Sequence, residues 1–374
     1  MKILQVINVR WHNATAWFAL RQARLLAESG HQVLVLTIPD SPLIQEAAQL
    51  GLATATLPLN TRNPVRLLLL PLAIRRLVKR FEPQVVNCHR GESFLFFGLL
   101  KRLGMGFALV RTRGDQRLPK ANAVNKWLHT RAADLVVAAN PALYRAFRLS
   151  LGVPRQRLRL IYGGVDTHAF AFDARGRERV RKEFGYGPEH KVVGLLGRFD
   201  RVKGHKELLE AVGLIRREQG REDLRVLLIG FPTAADDEDI LTWAEAAGVA
   251  DITRSTGRRA DVTACISALD LAVIPSLWSE AVARSAMEIM ACERPLISSD
   301  AGVLPVLLPC RAVFPAGDVA AMAAKMTQAL DEPGFAASLV ASQTRRLRLL
   351  RDEEFLKRSL EAMAAASTRN SNAS

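Results

Sequence analysis

Cysteine is scarce in this chain: Cys88, Cys265, Cys292 and Cys310 are the whole complement, and no two of them form a C-x-x-C pair. That spacing argues against a zinc ribbon and a disulfide scaffold, and it predicts free thiols in a reducing cytoplasm. Long hydrophobic runs are also missing. The longest, LLLLPLAI at 67–74, is far short of a bilayer span, and MKILQVINVR is interrupted too soon for a signal peptide. No G-x-G-x-x-G follows the opening strand of either half, which disfavours a dehydrogenase. Aromatic residues make up 6% of the chain and form no stacking platform beside its positive charge, so a nucleic-acid-binding protein is disfavoured too.

The first half is also short of acid. Residues 1–170 contain 24 Lys+Arg against 8 Asp+Glu, whereas residues 171–374 contain 28 against 29. The formal charge of +15 therefore belongs almost wholly to the first half. Such an asymmetry points to a polyanionic neighbour (nucleic acid, anionic lipid or a phosphorylated substrate), or else it serves solubility alone.

A chain of 374 residues that is 49% hydrophobic and 24% charged fits two globular domains, each able to bury a core. Only ASTRNSNAS, residues 366–374, reads as a tail. Short β-branched runs alternate with amphipathic segments, the pattern of parallel sheets covered by helices on both faces. Strands are expected at 2–9, 32–38, 84–88, 107–112 and 134–139, then from 191 and near 224–230, 271–275 and 295–298. A helix over 15–29 places Ala16, Ala19, Leu20, Ala23 and Leu26 on one face, with Gly30 closing it. Further helices are expected near 205–218, 237–247, 283–292 and 318–330. The fold class is α/β: two Rossmann-like domains with parallel sheets facing across a cleft, over residues 1–170 and 171–350. Residues 351–374 form a C-terminal helix that returns to the first domain and ends in a disordered tail. Ligands are expected in the cleft, at the carboxyl ends of the strands.

Two stretches carry chemistry. In SEAVARSAMEIMACERPLISSDAG, Glu280 follows a strand and Glu288 lies two turns along the next helix. The backbone N–H groups of Ala283, Arg284 and Ser285 then form a helix N-terminus able to hold an anion, although acids near a helix start also serve the macrodipole. In GRFDRVKGHKELLEA, Gly197 ends a strand, and Arg198 and Lys203 flank the loop after it. A planar fork and a compact ammonium about one turn suit a diphosphate, while a merely solvated basic loop is the plainer reading. ADDED at 235–239 clusters carboxylates, but at a helix start, where acids are expected without any metal.

These stretches resemble the retaining GT-B glycosyltransferases of family 4. The resemblance runs through ARLLAESGHQVLVLT, EPQVVNCHRG, RAADLVVAANPAL, LIYGGVDTHAF, GLLGRFDRVKGHKELLEA, STGRRADV, LDLAVIPSLWSEA and MEIMACERPLISSDAG, in that order. It implies a nucleotide-sugar donor on the C-terminal domain, an acceptor on the N-terminal domain, and neither cofactor nor metal. Arg198 and Lys203 match the pair that binds the donor diphosphate. Glu280 matches a contact to donor-sugar hydroxyls, Glu288 a contact to the ribose, and Arg258 the position that meets the base largely through backbone. His89 matches a cleft-facing histidine, and a satisfied core histidine is an equal reading.

The chain departs from that family where ligands are expected. A Gly-Gly turn after the first strand is replaced by RWHNAT, a T-x-H-G-like segment by VRTRGDQRLPK, and glycines inside the paired-Glu motif by EAVAR. Ala281 and Ala283 are compatible with negative φ at a helix start, so the amide site can survive. Arg113 puts a permanent cation in place of a histidine, and Asp115 is its available partner. Asn13 or Thr15 caps the first helix, while Trp11 and His12 are left to shape an acceptor or donor-sugar pocket. The cluster Arg90, Arg111, Arg113, Arg117 and Lys120 suggests that the acceptor, or part of the donor, bears phosphate or carboxylate. NPVRLLLLPLAIRRLVKRF at 63–81 reads either as an interfacial helix on an anionic membrane or as a Rossmann helix with basic solvent positions. The function expected is sugar transfer to a glycan or lipid-linked acceptor in surface-polysaccharide or lipopolysaccharide assembly. A GT-B epimerase and a non-catalytic homologue are the alternatives.

Overall fold

The computed structural model describes residues 1–11 and 13–371, so His12 and the last three residues lie outside the described part. The chain divides into two compact units. One comprises Met1–Gly164 and the C-terminal segment from Asp352; the other is Val165–Arg351.

The first unit is built on seven parallel strands: β1 (Lys2–Val6), β2 (Gln32–Thr37), β3 (Ala53–Thr56), β4 (Val85–Cys88), β5 (Ala108–Arg113), β6 (Leu135–Ala138) and β7 (Leu158–Leu160), in the order β3-β2-β1-β4-β5-β6-β7. Alternate residues feed two cores. Ile3, Val35, Val85 and Val110 face the helices Ala14–Glu28 and Asp352–Ser371, while Leu4, Leu36, Val86 and Leu109 face Pro64–Phe81 and Gly91–Arg102. The first helix buries Ala16, Ala19, Leu20, Ala23 and Leu26 as its period requires, and it ends through Ser29 into Gly30 at φ 85°.

The second unit repeats the plan with six parallel strands: β8 (Lys191–Leu196), β9 (Leu224–Ile229), β10 (Thr253–Ser255), β11 (Leu271–Ile274), β12 (Leu296–Ser299) and β13 (Val313–Phe314), in the order β10-β9-β8-β11-β12-β13. The chain leaves β8 toward one edge and returns beside it at β11. The crevice at the carboxyl ends of β8 and β11 is the switch point where doubly wound sheets bind ligands.

Two expectations about the chain's end need correction. The stretch from Ala366 to Ser371 is no tail: the last helix runs to Ser371, and Ala366 is fully buried on the first unit's sheet. Phe355 of this helix meets Phe18 edge-on at 4.9 Å, and Gln22 Nε2 donates to Ser359 Oγ at 2.9 Å. The units also part at Gly164–Val165 rather than at 170–171. Gly164 marks the place physically, because a Cβ there would lie 2.5 Å from Asp352 Oδ1 and 2.9 Å from Phe355 Cβ. Among the described residues no helix is long and apolar enough to cross a membrane.

Candidate functional site

The switch point of the second unit gathers most of the residues singled out in its sequence. β8 ends at Leu196 and delivers Gly197 and Arg198; β11 ends at Ile274 and leads through Ser276 to Glu280. Backbone contacts too close for side chains hold these loops together. Gly204, at φ 75°, carries no Cβ because one would stand 2.1 Å from the Pro275 carbonyl oxygen. Gly230 is pressed in the same way on the Gly197 carbonyl, and Leu277 N–H donates to the Val202 carbonyl at 2.9 Å.

Inside this frame Lys203 Nζ donates to Glu280 Oε1 at 2.5 Å, and Ser276 Oγ donates to the same oxygen at 2.7 Å. Glu280 is buried, Lys203 is partly open, and the exposed Arg198 is steadied by Asp200 Oδ2 at 2.9 and 3.1 Å. Burial raises the Asp200 carboxyl, but the Val202 N–H and the Arg198 guanidinium outweigh it and hold the group below its ordinary value. Behind the loop His205 packs edge-on against Phe199, and its burial lowers its pKa to about 4. The result is two cations of different geometry beside a fixed carboxylate. Such a set can hold an anionic leaving group and a hydroxyl-bearing one side by side.

The helix Arg284–Ala291 starts at the same end, and its first backbone bonds run from the Ala286 and Met287 N–H groups to the Ala283 carbonyl. Ser285 is half-buried in that first turn, ahead of those bonds. Glu288 is buried one turn further on, where Arg284 Nε donates to it at 2.5 Å. Ala283 corrects the expectation of a negative φ: it sits at φ 52°, ψ 54°, a left-handed conformation that costs an L-residue about 1–2 kcal/mol. The turn after Glu280 is tied by the Val303 N–H bond to the Glu280 carbonyl at 2.8 Å, so the chain enters this helix by a route that glycine would follow more easily.

Arg258 is exposed and lays its guanidinium 3.9 Å from the centroid of Phe231, just past β9. Its side chain, not only its backbone, therefore forms a flat surface. The acids at 235–239 form a capping box between Asp236 and Asp239, and no group of three or more metal-ligating side chains converges among the described residues.

In the first unit the candidates separate. Trp11 stands 65% exposed after β1, whereas Asn13 is the helix cap, its Oδ1 accepting the Ala16 N–H at 3.0 Å. His89 is buried in the core of the first unit. It is buried with Nε2 2.8 Å from Gln5 Oε1 and 3.2 Å from Asn87 Nδ2, and burial together with the Arg111 charge lowers its pKa to about 3. Arg113 Nε is paired with Asp115 at 3.0 Å, and Arg90 with Glu92 at the same distance. Arg111 is buried against the Cys88 carbonyl at 2.8 Å, its pKa lowered to about 10 by burial and by Arg113. Of the basic cluster only Arg117 and Lys120 are exposed and in no ion pair among the described residues.

Sequence reasoning missed Ser276, Phe231 and Asp200. Asp200, two residues after Arg198, and Ser276, four before Glu280, lie near their partners in sequence; Phe231 reaches Arg258 through the fold.

Two parallel α/β units, one with cations and a carboxylate at its switch point, have the architecture of the GT-B fold. The chain belongs to glycosyltransferase family 4: residues 15–169 match the family described as Glycosyltransferase Family 4, and residues 190–332 match Glycosyl transferases group 1. Similar relatives include a D-inositol 3-phosphate glycosyltransferase of Corynebacterium jeikeium, 26% identical over 52% of this chain and 47% of its own length. Another, of Mycobacterium marinum, is 30% identical over 40% of this chain and 31% of its own. The chain thus spans about half or less of the length of the curated relatives it matches. In fold it is similar to Anabaena HepE solved with UDP, at TM-score 0.85 and 18% identity, over 98% of this chain and 100% of that one. It is also similar to the lipopolysaccharide outer core galactosyltransferase WaaB, at TM-score 0.73 and 14% identity, over 98% and 97%.

Proposed function

We propose that the protein is a retaining hexosyltransferase. It takes a sugar from a nucleotide-sugar donor and passes it to a glycan or lipid-linked acceptor, in surface-polysaccharide or lipopolysaccharide assembly at the cytoplasmic face of a membrane. The observation that carries the reading is the Lys203–Glu280 pair beside Arg198 at the switch point of the second unit. The name of the HepE structure, which holds UDP, and that of WaaB, a galactosyltransferase, support the donor class.

On this reading Arg198 and Lys203 hold the donor diphosphate, with Gly197 and the amides about Ala283, Arg284 and Ser285 beside it. Glu280 takes sugar hydroxyls, Glu288 the ribose, and the Arg258–Phe231 surface the base. As the sugar leaves with oxocarbenium character, negative charge grows on the β-phosphate, where two preorganised cations lower the barrier. The departing phosphate takes the acceptor's proton on the same face, so no protein nucleophile and no divalent cation is required. Acceptor contacts fall to Trp11, Arg113 and Asp115 of the first unit.

A panel of UDP, GDP, ADP and CMP sugars tests this by thermal shift in lipid-free solution, because a ligand of the native state alone raises its stability. The stabilising sugar is then followed by NMR of the product anomer. No stabilisation by any member removes the donor assignment, and an inverted product removes retention.

A further inference from the structure

Residues 47–81 contain six cations and no acid, and the helix Pro64–Phe81 carries five of the six. Leu70, Ile74 and Val78, spaced by four, bury its inner stripe in the first unit's core. The opposite face is divided along its length. Val65, Leu68, Leu69 and Leu72 occupy the N-terminal half and are all exposed, Leu68 by 79%. Arg75, Arg76, Lys79 and Arg80 occupy the C-terminal half, equally exposed and in no ion pair among the described residues.

A solvated helix places cations on its outer face, not four large aliphatic side chains together. All strands of the first sheet are parallel, so each segment that follows a strand lies at the same carboxyl edge. The helix begins at that edge after β3. There too stand Trp11 after β1, and Leu118 with Lys120 after β5, all exposed. An aromatic residue, aliphatic side chains and Lys120 at that edge, with unpaired cations further along the outer face of the helix that starts there, match the headgroup zone of an anionic bilayer.

We infer that the outer face of helix Pro64–Phe81 docks the first unit on an anionic lipid surface, with Leu68 and Leu72 entering the acyl boundary and Arg75 and Arg76 lying among the headgroups. The inference deepens the lipid-linked-acceptor reading and rests on it for the biological source of that surface. The binding itself does not involve the donor residues.

The test is flotation of the full chain with vesicles of phosphatidylcholine alone and of equimolar phosphatidylcholine and phosphatidylglycerol. Binding is expected to the anionic vesicles, to weaken with salt, and to fall roughly fivefold for each cation removed in Arg75→Ala and Arg76→Ala. Leu68→Glu with Leu72→Glu should lower it at least about tenfold without shifting the melting temperature, since both side chains are already in water. No flotation with the anionic vesicles, equal flotation with both compositions, or flotation that survives the Leu68/Leu72 double change each overturns the inference. So does a dimer, seen by sedimentation, that the same double change dissolves, because the face then joins two copies. The lipid-free nucleotide-sugar shift is read separately, so failure of the membrane face and failure of the donor site are told apart.

Discussion

The two units share a plan and treat charge in opposite ways. The first holds 27 Lys+Arg against 11 Asp+Glu, the second 25 against 26. In the second unit many arginines are pinned: Arg177 and Arg181 to Asp270, Arg201 to Glu207, Arg221 to Asp223 and Arg259 to Asp261. In the first, the cations of helix Pro64–Phe81 have no partner among the described residues, and its buried polar groups are mostly neutral. An α/β sheet is indifferent to this choice, so the difference reports use. On the reading proposed above, the pairs made by Arg198 and Lys203 fix geometry at the switch point, while the unpaired cations of the first unit suit a surface that supplies the counter-charge.

The sharpest way to break the comparison is at the pinned cations. Arg198 is half exposed and bonded only locally, so Arg198→Ala is expected to cost about 100-fold or more in transfer with little change in melting temperature. Wild-type turnover in the folded variant would sink its role. Lys203→Ala should lose as much rate and, unlike Arg198→Ala, about 3 kcal/mol of stability as well, because it strands the buried Glu280 carboxylate. Adding Glu280→Gln should restore stability but not rate.

The first unit is broken through its neutral network. Asn87 accepts from Thr112 Oγ1 at 2.8 Å and donates to Gln22 Oε1 at 2.9 Å and Gln5 Oε1 at 3.1 Å, all of them buried. Asn87→Leu leaves several of these groups unsatisfied and should cost about 3 kcal/mol by urea unfolding. A loss below about 1 kcal/mol would mean the remaining glutamines repair the network by themselves.

Acid cuts across this contrast, because the second unit's His205 is also buried with a lowered pKa. His89 and His129 of the first unit are buried with pKa lowered to about 3, chiefly by burial and then by Arg111. The unfolded chain, with imidazole near 6.5, takes up protons first, so stability is complete above that value and falls as pH drops from 6.5 toward 3. Each group should remove about 2 kcal/mol by pH 5, before the carboxylates contribute. Urea melts at pH 7 and pH 5 measure the fall, and His129→Asn should reduce it. Equal stability at the two values would show that these imidazoles are not buried neutral.

The central strands were legible because β1, β4, β6, β8 and β11 are apolar almost throughout, as parallel strands covered on both faces must be. The four strands the sequence hid, β3, β7, β10 and β13, are the four sheet edges. An edge strand is short and half wet, so ATAT at 53–56 and TRS at 253–255 carry little periodic signal. Site residues followed the same logic. Arg198, Lys203, Glu280 and Glu288 stood out because each lies in a local motif at a strand end or helix start. The Phe231 platform and the burial of His89 depend on partners distant in sequence, which spacing cannot report.

The smallest expected effect probes the strained entrance to the helix after Glu280. Ala283→Gly removes the left-handed cost of an L-residue, about 1–2 kcal/mol, but gives up a buried methyl worth about 0.8 and adds unfolded-state freedom worth about 0.4–1. These contributions nearly cancel, so unfolding free energy should change by less than about 1 kcal/mol in either direction. The nucleotide-sugar thermal shift should persist in this variant, because the amides at the helix start belong to the backbone and keep their direction. Loss of that shift with stability unchanged would mean that the methyl itself shapes the donor pocket, and that alanine here is a contact residue, not a tolerated stand-in for glycine.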